Sequence, residues 1–138
     1  MERERTRSAS FSPALDLATG VPAYRQIIDQ VLGAIASGTL SGGDQLPTVR
    51  QLAVDLSINP NTVVRAYREL EIRGILTTQQ GIGTFVTTQP VPVDEAVRQR
   101  QLDQLIGDLL ARAGAAGLSA DEVVARLQEF INEQRGIS

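Results

Sequence analysis

Between Leu46 and Gly74 the apolar positions fall at helical spacing in two short runs separated by a polar turn. Leu52, Ala53 and Leu56 share one side of the first run, and Val63, Ala66, Tyr67 and Leu70 share one side of the second. Thr48 is placed to cap the first helix, and Gln51 three residues on completes a capping-box pattern. Ser57-Ile58-Asn59 reads as the turn. Asn59 is a favoured N-cap, and Pro60 stands at the first helical position, where its missing N–H costs nothing. The second helix is predicted from about Pro60 to Arg73, ended by Gly74. Opposite its buried stripe lie Asn61, Arg65 and Arg68, with Thr62 at the flank, on a face read as polar and free of apolar side chains.

After Gly74 the period changes. Ile75–Thr78 and Thr84–Thr87 are rich in β-branched residues, and Gln79-Gln80-Gly81-Ile82-Gly83 between them carries two turn glycines. This predicts a hairpin directly following a helix-turn-helix, which is a wing. Upstream, Tyr24, Ile27, Ile28, Val31 and Ile35 form the stripe of a helix over about Pro22–Ser37. Thr39–Gln45, with two glycines, is expected to be a turn. Downstream, Gln89-Pro90-Val91-Pro92-Val93 cannot extend a hairpin or start a helix early, so it reads as a linker.

Beyond the linker the helical period returns twice. A helix over about Asp94–Ala113 carries Leu102, Leu105, Ile106, Leu109, Leu110 and Ala113 on one broad face. Gly114–Leu118 is its loop, and Ser119 with Glu122 forms a capping box for a second helix. Ala120, Val123, Val124, Leu127, Phe130 and Ile131 make that helix's stripe, and Gly136 ends it. Each large aliphatic side chain left wet forgoes roughly 1.5–3 kcal/mol. These faces therefore need a partner: the winged domain of the same chain or a second copy, a two-fold dimer being the commonest closed arrangement.

The expected fold is thus mainly α with a small β-hairpin. Its parts are a disordered arm (1–12), a winged helix-turn-helix domain (13–88), a linker (89–93) and a two-helix dimerisation region (94–138).

Composition narrows the chemistry. The 138 residues contain no Cys and no His. Thiol chemistry, disulfides, most zinc sites and the commonest general base are thereby removed. No acidic run has calcium-loop spacing, no nucleophile–base pair is in view, and no cofactor is expected. An enzyme is accordingly the weakest reading. No apolar run reaches membrane-spanning length and the N-terminus has no signal-peptide core, so a cytoplasmic protein without a membrane partner is expected.

The net charge of −3 argues at first sight against nucleic acid. Its distribution weakens that objection. Residues 1–89 balance eight Arg against eight acids, whereas residues 90–138 carry five Arg and eight acids. The segment Leu46–Gly74 holds four Arg and three acids, so the face in question is mildly basic. A helix fits the DNA major groove, and Asn, Arg and Thr near its N-terminus carry the groups that read base edges or bind phosphates. Double-stranded DNA is the expected partner, with steep salt sensitivity. A protein-interaction module, with the winged domain as a mere scaffold, is the rival from another class. The pattern marks no effector pocket and leaves a small-molecule effector open.

Taken together, these residues resemble the GntR family of bacterial transcription regulators. The resemblance rests on Pro22-x-Tyr24-x-Gln26-Ile27, on Ser37-Gly38-x-Leu40-x-x-Gly43-Asp44-x-Leu46-Pro47-Thr48-x-Arg50-x-Leu52-Ala53, on Asn59-x-Asn61-Thr62-Val63-x-Arg65-Ala66-Tyr67-x-x-Leu70, and on Gly81-x-Gly83-Thr84-Phe85-Val86. The short helical hairpin after the wing, in place of a large effector domain, resembles the small YtrA-type subfamily. That implies a homodimer joined through the C-terminal helices, most often a repressor, often controlling transporter operons. By the same resemblance Arg50 corresponds to a DNA-contacting arginine, and Asn59, Asn61 and Thr62 to positions that touch base edges or phosphates. Gly81 corresponds to the wing tip in the minor groove. Some relatives have arginine where Pro60 stands, which shifts specificity here toward Arg65. The expected DNA-binding set is Thr48, Arg50, Asn59, Asn61, Thr62, Arg65, Arg68, Gln80 and Gly81, acting on a near-palindromic operator.

Overall fold

The computed structural model describes residues 11–88 and 94–136. They belong to two compact units, one extending to Gln89 and the other starting at Pro90. The expected linker and most of the N-terminal arm lie outside the described residues.

In the first unit, helix α1 spans Ala23–Ser37, α2 Val49–Leu56 and α3 Pro60–Ile72, followed by strands β1 (Leu76–Gln79) and β2 (Gly83–Val86). The core joins all of them. Ile27, Ile28, Val31 and Ala34 of α1, Leu52 and Ala53 of α2, and Val63, Ala66, Tyr67 and Leu70 of α3 are buried with Leu40, Leu46, Leu76 and Val86. Tyr24 and Ile35, placed on the α1 stripe, are only partly buried, and Ala34 takes the fully enclosed position instead. The Tyr67 hydroxyl donates to the Pro47 carbonyl at 2.7 Å, tying α3 to the entry of α2. Burial of the phenol pushes its pKa upward, because the phenolate would lose its hydration there.

Three local features depart from the pattern. Thr48 accepts from the Gln51 N–H as a cap should, but the Gln51 amide turns to Asp55 at 2.8 Å, so the box is only half formed. Segment 43–46 is less a turn than an extra edge on β2. Gly43 N–H donates to the Val86 carbonyl, Val86 N–H to Asp44, and Leu46 N–H to Thr84, each at 2.8 Å. The outer side of a two-stranded hairpin has unpaired backbone groups, and this segment satisfies them. Third, the lead-in is anchored. Gln26 bonds Asp16 and Val21, Gln30 bonds Ala14, and Phe11 and Leu15 pack on the core. Phe11, at the end of the stretch expected to be a disordered arm, therefore belongs to the folded unit.

In the second unit, α4 runs Glu95–Ala115 and α5 Ala120–Gln134. Asp94 caps α4 through the Ala96 and Val97 N–H groups, and Ser119 with Glu122 forms a complete capping box on α5. α4 passes through Gly114 and ends two residues later than the pattern placed it. Its terminator is Gly117, at φ 80°. There the Gly117 N–H reaches the Gly114 carbonyl at 3.0 Å and the Leu118 N–H the Ala113 carbonyl at 2.8 Å, a Schellman closure that needs the left-handed backbone glycine accepts readily.

Candidate nucleic-acid interface

Helix α3 begins at Asn59, whose side-chain oxygen accepts from the Asn61 N–H at 2.8 Å. That oxygen is committed to the cap, leaving the carboxamide NH2 as the end able to meet a ligand. From there the outward face presents Asn61, Val64, Arg65, Arg68, Glu69 and Ile72, which line one open groove. The face is therefore not purely polar. Val64 and Ile72 fall on the same helical line as Asn61 and Arg68, and Ile72 is largely exposed. Thr62 is half-buried at the flank. Glu69 lies 3.4 Å from Arg73, so its charge is shared with an arginine outside the groove.

Arg65 has a partner that sequence spacing does not announce. Its guanidinium carbon lies 3.7 Å from the centroid of the Tyr24 ring, on α1. Arg50, on the first turn of α2, is exposed, as is Thr48 at the cap. The Thr48 oxygen accepts from the Gln51 N–H, which leaves its hydroxyl proton available for donation.

The wing pairs Leu76 with Val86 through to Gln79 with Gly83, leaving Gln80-Gly81-Ile82 as its loop. Each strand is thus shifted by one residue from the expected 75–78 and 84–87. Three contacts hold it. Thr78 donates its hydroxyl to the Glu71 carboxylate on the last turn of α3, and lies 3.2 Å from the Thr84 hydroxyl across the sheet. The Gln45 amide donates to the Ile82 carbonyl at 3.2 Å. Gly83 makes the last possible: a Cβ there would stand 2.3 Å from the Gln45 amide nitrogen. Gln80 and Gly81 are exposed at the tip, on a different element from the groove of α3, and Ile82 beside them is 64% exposed. Among the described residues no group of three or more acidic side chains converges as a metal site does, and no helix is long and apolar enough to cross a membrane.

On the second unit, Leu102, Leu105, Ile106, Leu109, Leu110, Val124, Leu127 and Phe130 are all exposed. Val123 and Ile131, assigned to the same face by the pattern, are half-buried already in the single chain, and Ala113 is buried. Arg126 lies 5.9 Å from the Phe130 ring centroid and bridges Glu129 and Glu133 at 3.5 Å.

The model of bacterial regulatory proteins of the gntR family matches residues 23–86, the span from α1 to the end of the wing. The HTH-type transcriptional repressor YtrA of Bacillus subtilis is 36% identical over 126 residues, which cover 88% of this chain and 94% of that one. The chain belongs to the GntR family. It is accordingly a DNA-binding transcriptional regulator and not an enzyme. A second B. subtilis relative, the uncharacterized HTH-type transcriptional regulator YhcF, is 33% identical over 79% of this chain and 89% of its own. Among solved structures, YtrA from Sulfolobus acidocaldarius, a GntR-family transcription factor, superposes with a TM-score of 0.52 at 34% identity, covering 70% of this chain and 94% of that one. The alignment with B. subtilis YtrA is longer than the whole first unit of this GntR chain, so the likeness continues into the helical hairpin.

Proposed function

We propose that this GntR-type regulator works as a homodimer that represses transcription from a near-palindromic operator. The observation that carries the reading is the row of exposed aliphatic side chains on α4 and α5, from Leu102 to Phe130. Burying such a face against a second copy removes it from water, and a two-fold arrangement puts the same patch on both sides. Two α3 helices then meet two half-sites about one helical turn, ~34 Å, apart or a multiple of it.

In this reading Asn61 and Arg68 face base edges, and Val64 and Ile72 supply apolar surface suited to thymine methyl groups. Asn59 and Thr62 flank them. Thr48 and Arg50 approach the backbone from the start of α2, and Gln80 and Gly81 bring the wing to the minor groove. Repression is supported by the likeness to B. subtilis YtrA, a transcriptional repressor. A transporter operon as the target rests on subfamily resemblance.

Footprinting on the DNA upstream of the chain's own gene tests the reading. Two protected half-sites in inverted orientation are expected. Arg50→Ala should weaken binding of that DNA and reduce its salt slope by about 1, as loss of one phosphate contact does. An asymmetric single footprint from a monomeric protein, or an Arg50→Ala variant as tight as wild type, would refute it.

A further inference from the structure

Resting on that DNA-binding reading, we infer that Tyr24 is a positioning residue: its ring holds the Arg65 guanidinium at the edge of the α3 groove, where it grips a backbone phosphate. The distance of 3.7 Å is well inside the range of a cation–π contact and amounts to van der Waals contact between fork and ring. The platform is fixed, because Tyr24 is packed against the core one turn before the fully buried Ile27 and Ile28. Arg65 itself is exposed. Glu69, four residues on and its natural helical partner, turns instead to Arg73. Among the described residues no carboxylate pairs with Arg65, so its charge is available to an external anion.

Direction decides which anion. Base edges lie on the groove floor and are met by side chains projecting straight out from α3; Arg65 shares that face with Asn61 and Arg68, but its guanidinium is held over the Tyr24 ring of α1. A fork drawn sideways onto a ring of the neighbouring helix is aimed at the groove wall, which is phosphate. Stacking covers one face of the guanidinium and leaves its edge N–H groups free for the two-pronged geometry that phosphate accepts. Tyr24 thus pre-orders a side chain that would otherwise lose much rotamer freedom on binding.

The test uses the full chain and two duplexes: one enriched by the wild type from a random-sequence pool, and an unrelated one of equal length. Tyr24→Leu should weaken binding to both by about two- to five-fold, the worth of a cation–π contact near solvent. Tyr24→Phe, which keeps the ring face, should restore it. Arg65→Ala should lower affinity evenly across operator variants and reduce the salt slope by about 1. In that background Tyr24→Leu should add nothing. Arg65→Lys, a surface change that spares the core, should keep the salt slope yet lose affinity by the Tyr24→Leu factor. A lysine variant as tight as wild type, an undiminished Tyr24→Leu loss in the Arg65→Ala background, or an Arg65→Ala loss confined to one base pair would overturn the inference. A wild type that enriches no duplex would instead bring down the operator reading beneath it.

Discussion

The two units of the chain solve the burial problem in opposite ways. Of the apolar residues buried among those described, all but Ala113 lie in the winged unit, whose core draws on three helices and both strands. The helical hairpin has near-complete local structure: two capped helices and a Schellman turn. Yet Leu102, Leu105, Ile106, Leu109, Leu110, Val124 and Leu127 are all exposed on it. Caps and turns decide where helices start and stop; they do not supply a core. The winged unit is finished within one chain, and in the dimer proposed above the hairpin is a half-core. In the proposed dimer the surface that reads DNA is thus separate from the surface that sets how many readers act together.

The sharpest way to break this contrast is to charge the half-core. Leu105 is 66% exposed in the single chain and central to the α4 face. Leu105→Glu removes roughly 1.5–3 kcal/mol of burial in each copy of a dimer and leaves a carboxylate in the interface. Sedimentation should show a monomer, with the thermal transition of the winged unit unchanged and operator binding greatly weakened. A variant that still sediments as a dimer would place the contact elsewhere.

The matching change in the finished core is Leu70→Ala. Leu70 is fully buried, and truncating it costs about 2–5 kcal/mol through lost contacts and the cavity left behind. The loss should appear as a lower melting temperature that does not depend on protein concentration, because the defect lies within one chain. Wild-type dissociation, by contrast, should shift with concentration as mass action requires. Equal concentration dependence for both processes, read by calorimetry over a dilution series, would erase the distinction.

How much of this is readable from residue order follows the same division. The winged unit's helices are legible because its stripes repeat at helical spacing and its signals are local: Thr48 and Asn59-Pro60 cap where their types predict, as Ser119 does in the hairpin. The hairpin's exposed face is legible as an unmatched stripe. What escapes is long-range. Gln45 braces the wing loop across 37 positions, and Tyr24 meets Arg65 between two helices. A period fixes which way a side chain points from its own helix, not which neighbour stands there. The apolar part of the DNA-facing groove escapes for a different reason. Val64 borders the buried stripe, where the pattern separates core from surface poorly, and Ile72 lies opposite the stripe at the end of the helix, an apolar residue inside a polar face. Gly114 misleads because composition names a breaker, while helix termination needs a residue that enters the left-handed region, and Gly117 does so.

The smallest effect concerns the turn that sets α3 against α2. Ser57 there has φ 57°, the only positive value at a non-glycine residue among those described. Its N–H still closes the end of α2, donating to the Val54 carbonyl at 3.1 Å, so the conformation is imposed by the tight helix-turn-helix connection. A left-handed backbone costs an L-residue about 1–2 kcal/mol, whereas glycine's extra freedom in the unfolded chain costs roughly 0.5–1 kcal/mol. Ser57→Gly should therefore be mildly stabilising, with a rise of about 2–6 °C in the melting of the winged unit. The dimer's dissociation constant should not move, since the strain is relieved within the winged unit. A melting temperature that falls would mean the Ser57 side chain contributes more to the turn than its backbone costs. A dissociation constant that shifts with it would show that finished core and half-core are coupled after all.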